Sequence, residues 1–125
     1  MKPAPACYPG RAAIDAYGNG GFRFAGMSHR GSILCLPSGI YAWAVTEAEA
    51  ISLDSLDAAI RERQALELLL LGTGRTGRLP SPELRQAFAE FGVALESMDT
   101  GAAARTYNVL LAEARPIAAA LIAVE

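Results

Sequence analysis

The sequence predicts an α/β fold in three layers: a mixed central β-sheet with helices packed on it, and an N-terminal β-hairpin or meander layer. Three observations carry that prediction. Leu68 to Leu71 are four consecutive leucines that run into Gly72-Thr73-Gly74, and a short, wholly apolar run closed by glycines is the pattern of a central strand covered on both faces. After it, two helical patterns alternate with two further apolar runs, which makes strand-helix-strand-helix-strand, the length of two crossover units. Before it, turn signals recur at short intervals between short apolar or alternating runs, as in a meander of locally paired strands.

Residues 1–11 carry three prolines and one glycine and are expected to form a loosely ordered tail ahead of a single domain over 12–125. Ala13 to Tyr17 is a strand candidate. Gly18-Asn19-Gly20-Gly21 is a hairpin turn, because Asn and Gly tolerate the positive φ such turns need. Phe22-Arg23-Phe24 alternates as a half-exposed strand should. Gly26 and Gly31 bracket a second turn. Ser32 to Leu36 and Ile40 to Val45 are strands joined by a turn at Pro37-Ser38-Gly39. Ser52 and Asp54 mark a helix start, with Leu53, Leu56 and Ile60 at helical spacing and Arg61-Glu62-Arg63 toward water.

The central strand, Ala65 to Leu71, comes next, then a loop from Arg75 to Pro80. Ser81-Pro82-Glu83 starts a helix: a cap, Pro at the first helical position, then a carboxylate. Its apolar face is Leu84, Ala87, Phe88 and Phe91, and Gly92 ends it. Val93 to Ser97 is a strand. Asp99 caps a helix that runs to about Ala114 with Ala103, Tyr107, Leu110 and Leu111 inward. Pro116 disfavours helix at Arg115, and Ile117 to Val124 is the last strand.

The chain has 125 residues, a net charge of −2 and 52% apolar residues, with a mean hydropathy of +0.24. That apolar share leaves surface for a partner or a second copy to cover. No basic excess points to nucleic acid. No run is long enough for a transmembrane segment. Neither a signal peptide nor a transit peptide fits the proline-rich N-terminus. The expected location is therefore cytoplasmic. Cys7 and Cys35 are unclustered, so neither a disulfide nor a metal site is expected.

Gly72, Gly74 and Gly77 spell G-x-G-x-x-G after a strand, and Glu96 ends the next one. The dinucleotide reading fails, because Arg78, Leu79 and Pro80 intervene before the helix that should receive the pyrophosphate. No cofactor is expected. His29 sits in a polar turn without an orienting partner for base catalysis. Ser38 lacks the nucleophile elbow, Trp43 reads as core, and Glu47 and Glu49 read as solvated charges.

The sequence offers one candidate ligand crevice. If the strands from Ala65 and Val93 are parallel neighbours, their carboxyl ends lie side by side. Gly72, Thr73, Gly74 and Arg75 would then face Asp99, Thr100, Arg105 and Asn108. Glycine N–H groups, a helix N-terminus and two guanidiniums would suit a carboxylate or phosphate. The competing reading is a helix cap with buried hydrogen bonds and internal salt bridges.

LLLLGTG, then PELR at Pro82 to Arg85, then MDTGAAARTYNVLLAEAR at Met98 to Arg115 together resemble the signature of one small-domain family. It is the domain of unknown function 498 type, with archaeal and bacterial members and the mitochondrial complex I (NADH dehydrogenase) assembly factor 3. Phe22 to Trp43 is similar to the family's N-terminal half. The sequence departs at Ile51 to Asp54, where a proline-containing helix start is common, and at Ala104, where Cys is common. The resemblance implies the three-layer α/β fold. It also implies a non-enzymatic role in assembling a respiratory complex, with an assembly factor or a complex subunit as the protein partner. The alternative class is a small anionic-ligand-binding domain or enzyme using the crevice above.

Overall fold

A computed structural model describes residues 7–125. Among the described residues, eight strands form two sheets: β1 (Ala16–Gly18), β2 (Gly21–Phe24) and β3 (Met27–Arg30) make a small antiparallel sheet. β4 (Ser32–Leu36), β5 (Gly39–Trp43), β6 (Leu68–Gly72), β7 (Ala94–Met98) and β8 (Ile117–Leu121) make a five-stranded sheet in the order β5-β4-β8-β6-β7. The helices are α1 (Asp57–Arg61), α2 (Pro82–Phe91) and α3 (Thr100–Ala112).

The sheet is mixed, as the sequence predicts. β6 runs parallel to both β7 and β8, while β4 is antiparallel to β5 and β8. The chain steps from β6 out to β7, then back past β6 to β8. With one crossover handedness, steps in opposite directions put the two connecting helices on opposite faces. The core shows this division. Leu84 and Phe88 of α2 pack with Leu69 and Leu71, while Ala103, Ala104 and Tyr107 of α3 pack with Leu70 and Ile117. Phe22 and Phe24 bring the small sheet onto the α3 side. Leu69, Leu70 and Leu71 are each fully buried. The leucine run is thus an interior strand covered on both faces, although β8 is the middle strand of the five.

The helix signals at α2 hold in detail. The Ser81 hydroxyl accepts from the Leu84 N–H at 3.2 Å, and Gly92 ends the helix with φ +76. The Asp99 carboxylate caps α3 by accepting from the Ala102 N–H at 3.1 Å. The far end of α3 is less conventional. The Ala114 N–H donates to the Leu111 carbonyl and the Arg115 N–H to the Leu110 carbonyl, the paired bonds of a Schellman ending. Ala114 holds the left-handed position, with φ +57, where a Cβ costs about 1 kcal/mol. Ala114→Gly should therefore raise stability by roughly 0.5–1 kcal/mol, the gain being trimmed by the freer unfolded chain. A urea midpoint that moves up checks this, and one that moves down refutes it.

Four expectations need correction. The stretch between Gly26 and Gly31 is strand β3, not a turn. The turn is the preceding pair Ala25-Gly26, both at positive φ, so β2-β3 is a second tight hairpin. The first strand starts later than Ala13, because the main chain of Ile14 bonds the Asn108 side chain instead of a strand. Ser52 does not begin α1. Its hydroxyl and that of Ser55 each accept from the other's N–H, a reciprocal turn that precedes the helix. Arg61 faces water beside Asp57, but Glu62 bonds Ser38 and Arg63 stacks 5.1 Å over the Phe91 ring.

The tail expected over 1–11 lies partly outside the described residues. From Cys7 onward the chain is attached, with Tyr8 bridging Ile40 on β5.

Candidate functional site

The carboxyl ends of β6 and β7 are parallel neighbours, with Gly72 opposite Met98. Gly72, Thr73, Gly74, Asp99 and Thr100 therefore meet at one edge of the sheet. Their geometry is set by close packing. A Cβ on Gly72 would lie 2.9 Å from the Leu121 side chain and 3.1 Å from the Thr100 Cα. Only glycine lets α3 start this close to the end of β6.

Thr100 is fully buried and ties three segments together. Its hydroxyl donates to the Ile122 carbonyl at 2.7 Å and accepts from the Gly74 N–H at 3.0 Å. Its own N–H donates to the Gly74 carbonyl at 2.8 Å. The Ile122 N–H returns to the Gly72 carbonyl at 2.9 Å. Thr73 organises the loop that follows: its N–H donates to the Met98 carbonyl. Its hydroxyl lies 2.7 Å from the Thr76 carbonyl and accepts from the Arg78 N–H at 3.0 Å. The N–H groups of Thr73, Gly74, Thr100 and Ala102, the donors an anion would use, are all engaged within the chain.

Arg105 and Asn108 share a helix face, and both meet the N-terminal layer. Arg105 donates to the Tyr17 hydroxyl at 2.9 Å. That hydroxyl would lie 2.4 Å from a Cβ on Gly101, so Gly101 admits the ring of Tyr17 onto the first turn of α3. The Asn108 amide exchanges two 2.8 Å bonds with the main chain of Ile14, standing in for a neighbouring strand. Arg75 is exposed and joins no ion pair among the described residues. Tyr17 and Ile14 were not foreseen. Each lies more than eighty residues from its partner, and nothing local in the sequence marks such a pairing.

Open space at this end of the sheet lies on the α2 side. A pocket of about 220 Å³ is floored by Leu71 and Leu84, with Thr73 and Ser81 on its wall. Leu79, 82% exposed, stands at its rim, and the Arg78–Glu49 ion pair at 3.0 Å crosses it. Glu49 therefore has a partner while staying exposed to water, as the sequence expects of its charge. A broader depression of about 400 Å³ lies over the small sheet beside Tyr17, Arg23 and Arg30.

The cysteines are free. Cys35 is buried, and burial pushes its thiol up, well away from reactivity. Cys7 Sγ lies 3.8 Å from His29 Nδ1, a contact absent from the sequence reading. No group of three or more His, Cys, Asp or Glu side chains is placed to hold a metal among the described residues. None of the described helices is long and apolar enough to cross a membrane. Trp43 is core, its indole N–H donating to the Ser55 carbonyl at 2.7 Å.

Residues 14–122 match the model of a family described as protein of unknown function (DUF498/DUF598). An uncharacterised protein of Rhodobacter capsulatus is 37% identical over 123 residues, covering 98% of this chain and 93% of that protein. The human NADH dehydrogenase (ubiquinone) 1 alpha subcomplex assembly factor 3 is 37% identical over 110 residues, covering 87% of this chain and 59% of that protein. The chain spans about 60% of the length of the curated assembly factors it matches. Among solved structures, one described as an outer membrane protein from Bartonella henselae superposes with a TM-score of 0.91 at 52% identity, covering 94% of this chain and 99% of that one.

Proposed function

We propose a function from one premise: this chain belongs to the DUF498/DUF598 family of proteins of unknown function. Within that family it acts as a non-enzymatic protein-interaction module that helps assemble a respiratory complex, complex I or a related membrane complex. One observation carries the reading. The similarity to a complex I assembly factor runs along most of the chain, through both the N-terminal layer and the α3 segment. The rest of the structure is consistent with it. Polar residues at the sheet edge are engaged in holding segments together, while apolar side chains such as Leu79 and Val109 stand exposed. A cytoplasmic location, with the chain meeting its partner at the membrane surface, is part of the same proposal.

Affinity purification of the tagged chain under native conditions, paired with deletion of its gene, tests this. The expected result is a stoichiometric protein partner and a fall in assembled complex I on native gels. A chain that purifies alone, from cells whose respiratory complexes are unchanged by the deletion, would overturn it.

A further inference from the structure

The two edges of the five-stranded sheet are finished differently. At β5, Tyr8 closes the edge: the Ile40 N–H donates to the Tyr8 carbonyl at 2.9 Å, and the Tyr8 N–H donates to the Ile40 carbonyl. At β7 no strand follows among the described residues. The ladder fixes which groups β7 leaves free. The Ala94 N–H donates to the Glu67 carbonyl at 3.0 Å, and the Met98 carbonyl accepts from the Thr73 N–H at 2.9 Å. Residues two apart in a strand turn their main chain the same way. Ala94, Glu96 and Met98 therefore bond β6, while Leu95 and Ser97 turn their N–H and C=O groups to the open side. A bare edge of this kind is a template for another strand.

Charge decides what fits it. Glu96 is exposed at the middle of β7. Two copies pairing antiparallel over the full strand would set Leu95 against Ser97 of the other copy and Glu96 directly against its own counterpart. Like charges facing each other across a strand pair are destabilising, and opposite charges are favourable.

We infer that the β7 edge is the docking surface, and that its occupant is an extended segment of a partner protein carrying Lys or Arg opposite Glu96. The segment adds a sixth strand by bonding Leu95 and Ser97, the mode called β-strand addition. This placement rests on the protein-binding reading above and names the surface that reading lacks.

The probe is a short synthetic peptide of alternating threonine and valine with arginine at its centre, compared with the same peptide carrying glutamate there. Amide hydrogen exchange is followed by NMR on the full chain. The expected result is saturable slowing at Leu95 and Ser97, with the arginine peptide binding roughly fivefold more tightly than the glutamate peptide. Glu96→Lys should reverse that preference. Ser97→Pro removes an outward N–H without touching the β6 ladder, a position where an edge strand accepts proline. It should fold and lose peptide protection at Leu95. Three results of this probe would overturn the inference: no protection at saturating peptide, equal protection in Ser97→Pro, or Leu95 and Ser97 already protected in a peptide-free dimer. The affinity purification above is independent of this probe. A partner captured equally well by wild type and Ser97→Pro would refute the edge while leaving the protein-binding role intact. A peptide that binds as expected by a chain that captures nothing would do the opposite.

Discussion

Replacing Leu70 by Asp is expected to leave the chain unfolded at room temperature. Leu70 is fully buried and lies between Glu96 of β7 and Ala119 of β8 in register. Its side chain sits with Ile33, Cys35, Tyr107 and Ile117, a cluster without a cation to pair a carboxylate. Burying an unpaired charge there costs several kcal/mol, on top of the lost leucine packing. A domain of this size is stable by about 5–15 kcal/mol in total. Leu69→Asp makes the same test on the other face, among Leu71, Leu84 and Phe88. Leu70→Ala, which adds no charge, should fold and lose about 2–5 kcal/mol. Circular dichroism on heating reads all three. If both Asp variants melt at the wild-type temperature, the leucine run is not the doubly covered strand described here.

What was legible in the sequence follows how local each signal is. α2 could be read from Ser81, Pro82 and Gly92, because cap, first turn and stop are decided within a few residues of each helix end. The start of α3 at Asp99 was legible for the same reason. β6 was legible because burial on both faces forces a wholly apolar run. β3 was not. Met27-Ser28-His29-Arg30 lies on an edge with three of its four residues exposed, so no apolar alternation announces it. Only pairing with β2 makes it a strand. The early part of the first strand failed because Asn108, ninety-four residues away, supplies the hydrogen bonds that a strand neighbour would.

The candidate crevice divides in the same way. The crossover pattern allowed parallel neighbours at Gly72 and Met98, and the structure pairs them, which brings Gly74 to Thr100. The direction taken by Arg105, toward Tyr17, depends on where the small sheet docks. Nothing within the α3 segment encodes that docking.

Thr100→Val should cost about 2–4 kcal/mol. Valine keeps the shape and removes the hydroxyl. The Ile122 carbonyl then loses its donor and the Gly74 N–H its acceptor. Each group stranded in a buried place costs about 1–3 kcal/mol. Thr100→Ser keeps the hydroxyl and gives up one buried methyl, so it should cost only about 1 kcal/mol. Urea unfolding of the three chains without added anions measures the difference. A phosphate titration followed by amide shifts then separates structural bonding from ligand capture at the same atoms. If the hydroxyl and the Gly74 N–H serve the fold, Thr100→Val is destabilised in buffer free of phosphate, and Gly72 to Arg75 show no saturable shifts in wild type. If they serve an anion, wild type shifts saturably at Gly72 to Arg75 and at Asp99 to Arg105, and Arg105→Ala abolishes those shifts. The three bonds at Thr100 favour the first outcome, since an anion could reach the Gly74 N–H only by displacing a hydroxyl already 3.0 Å from it. A Thr100→Val chain as stable as wild type would remove that argument, because it would show that the buried hydroxyl contributes nothing to holding β6, α3 and the end of β8 together.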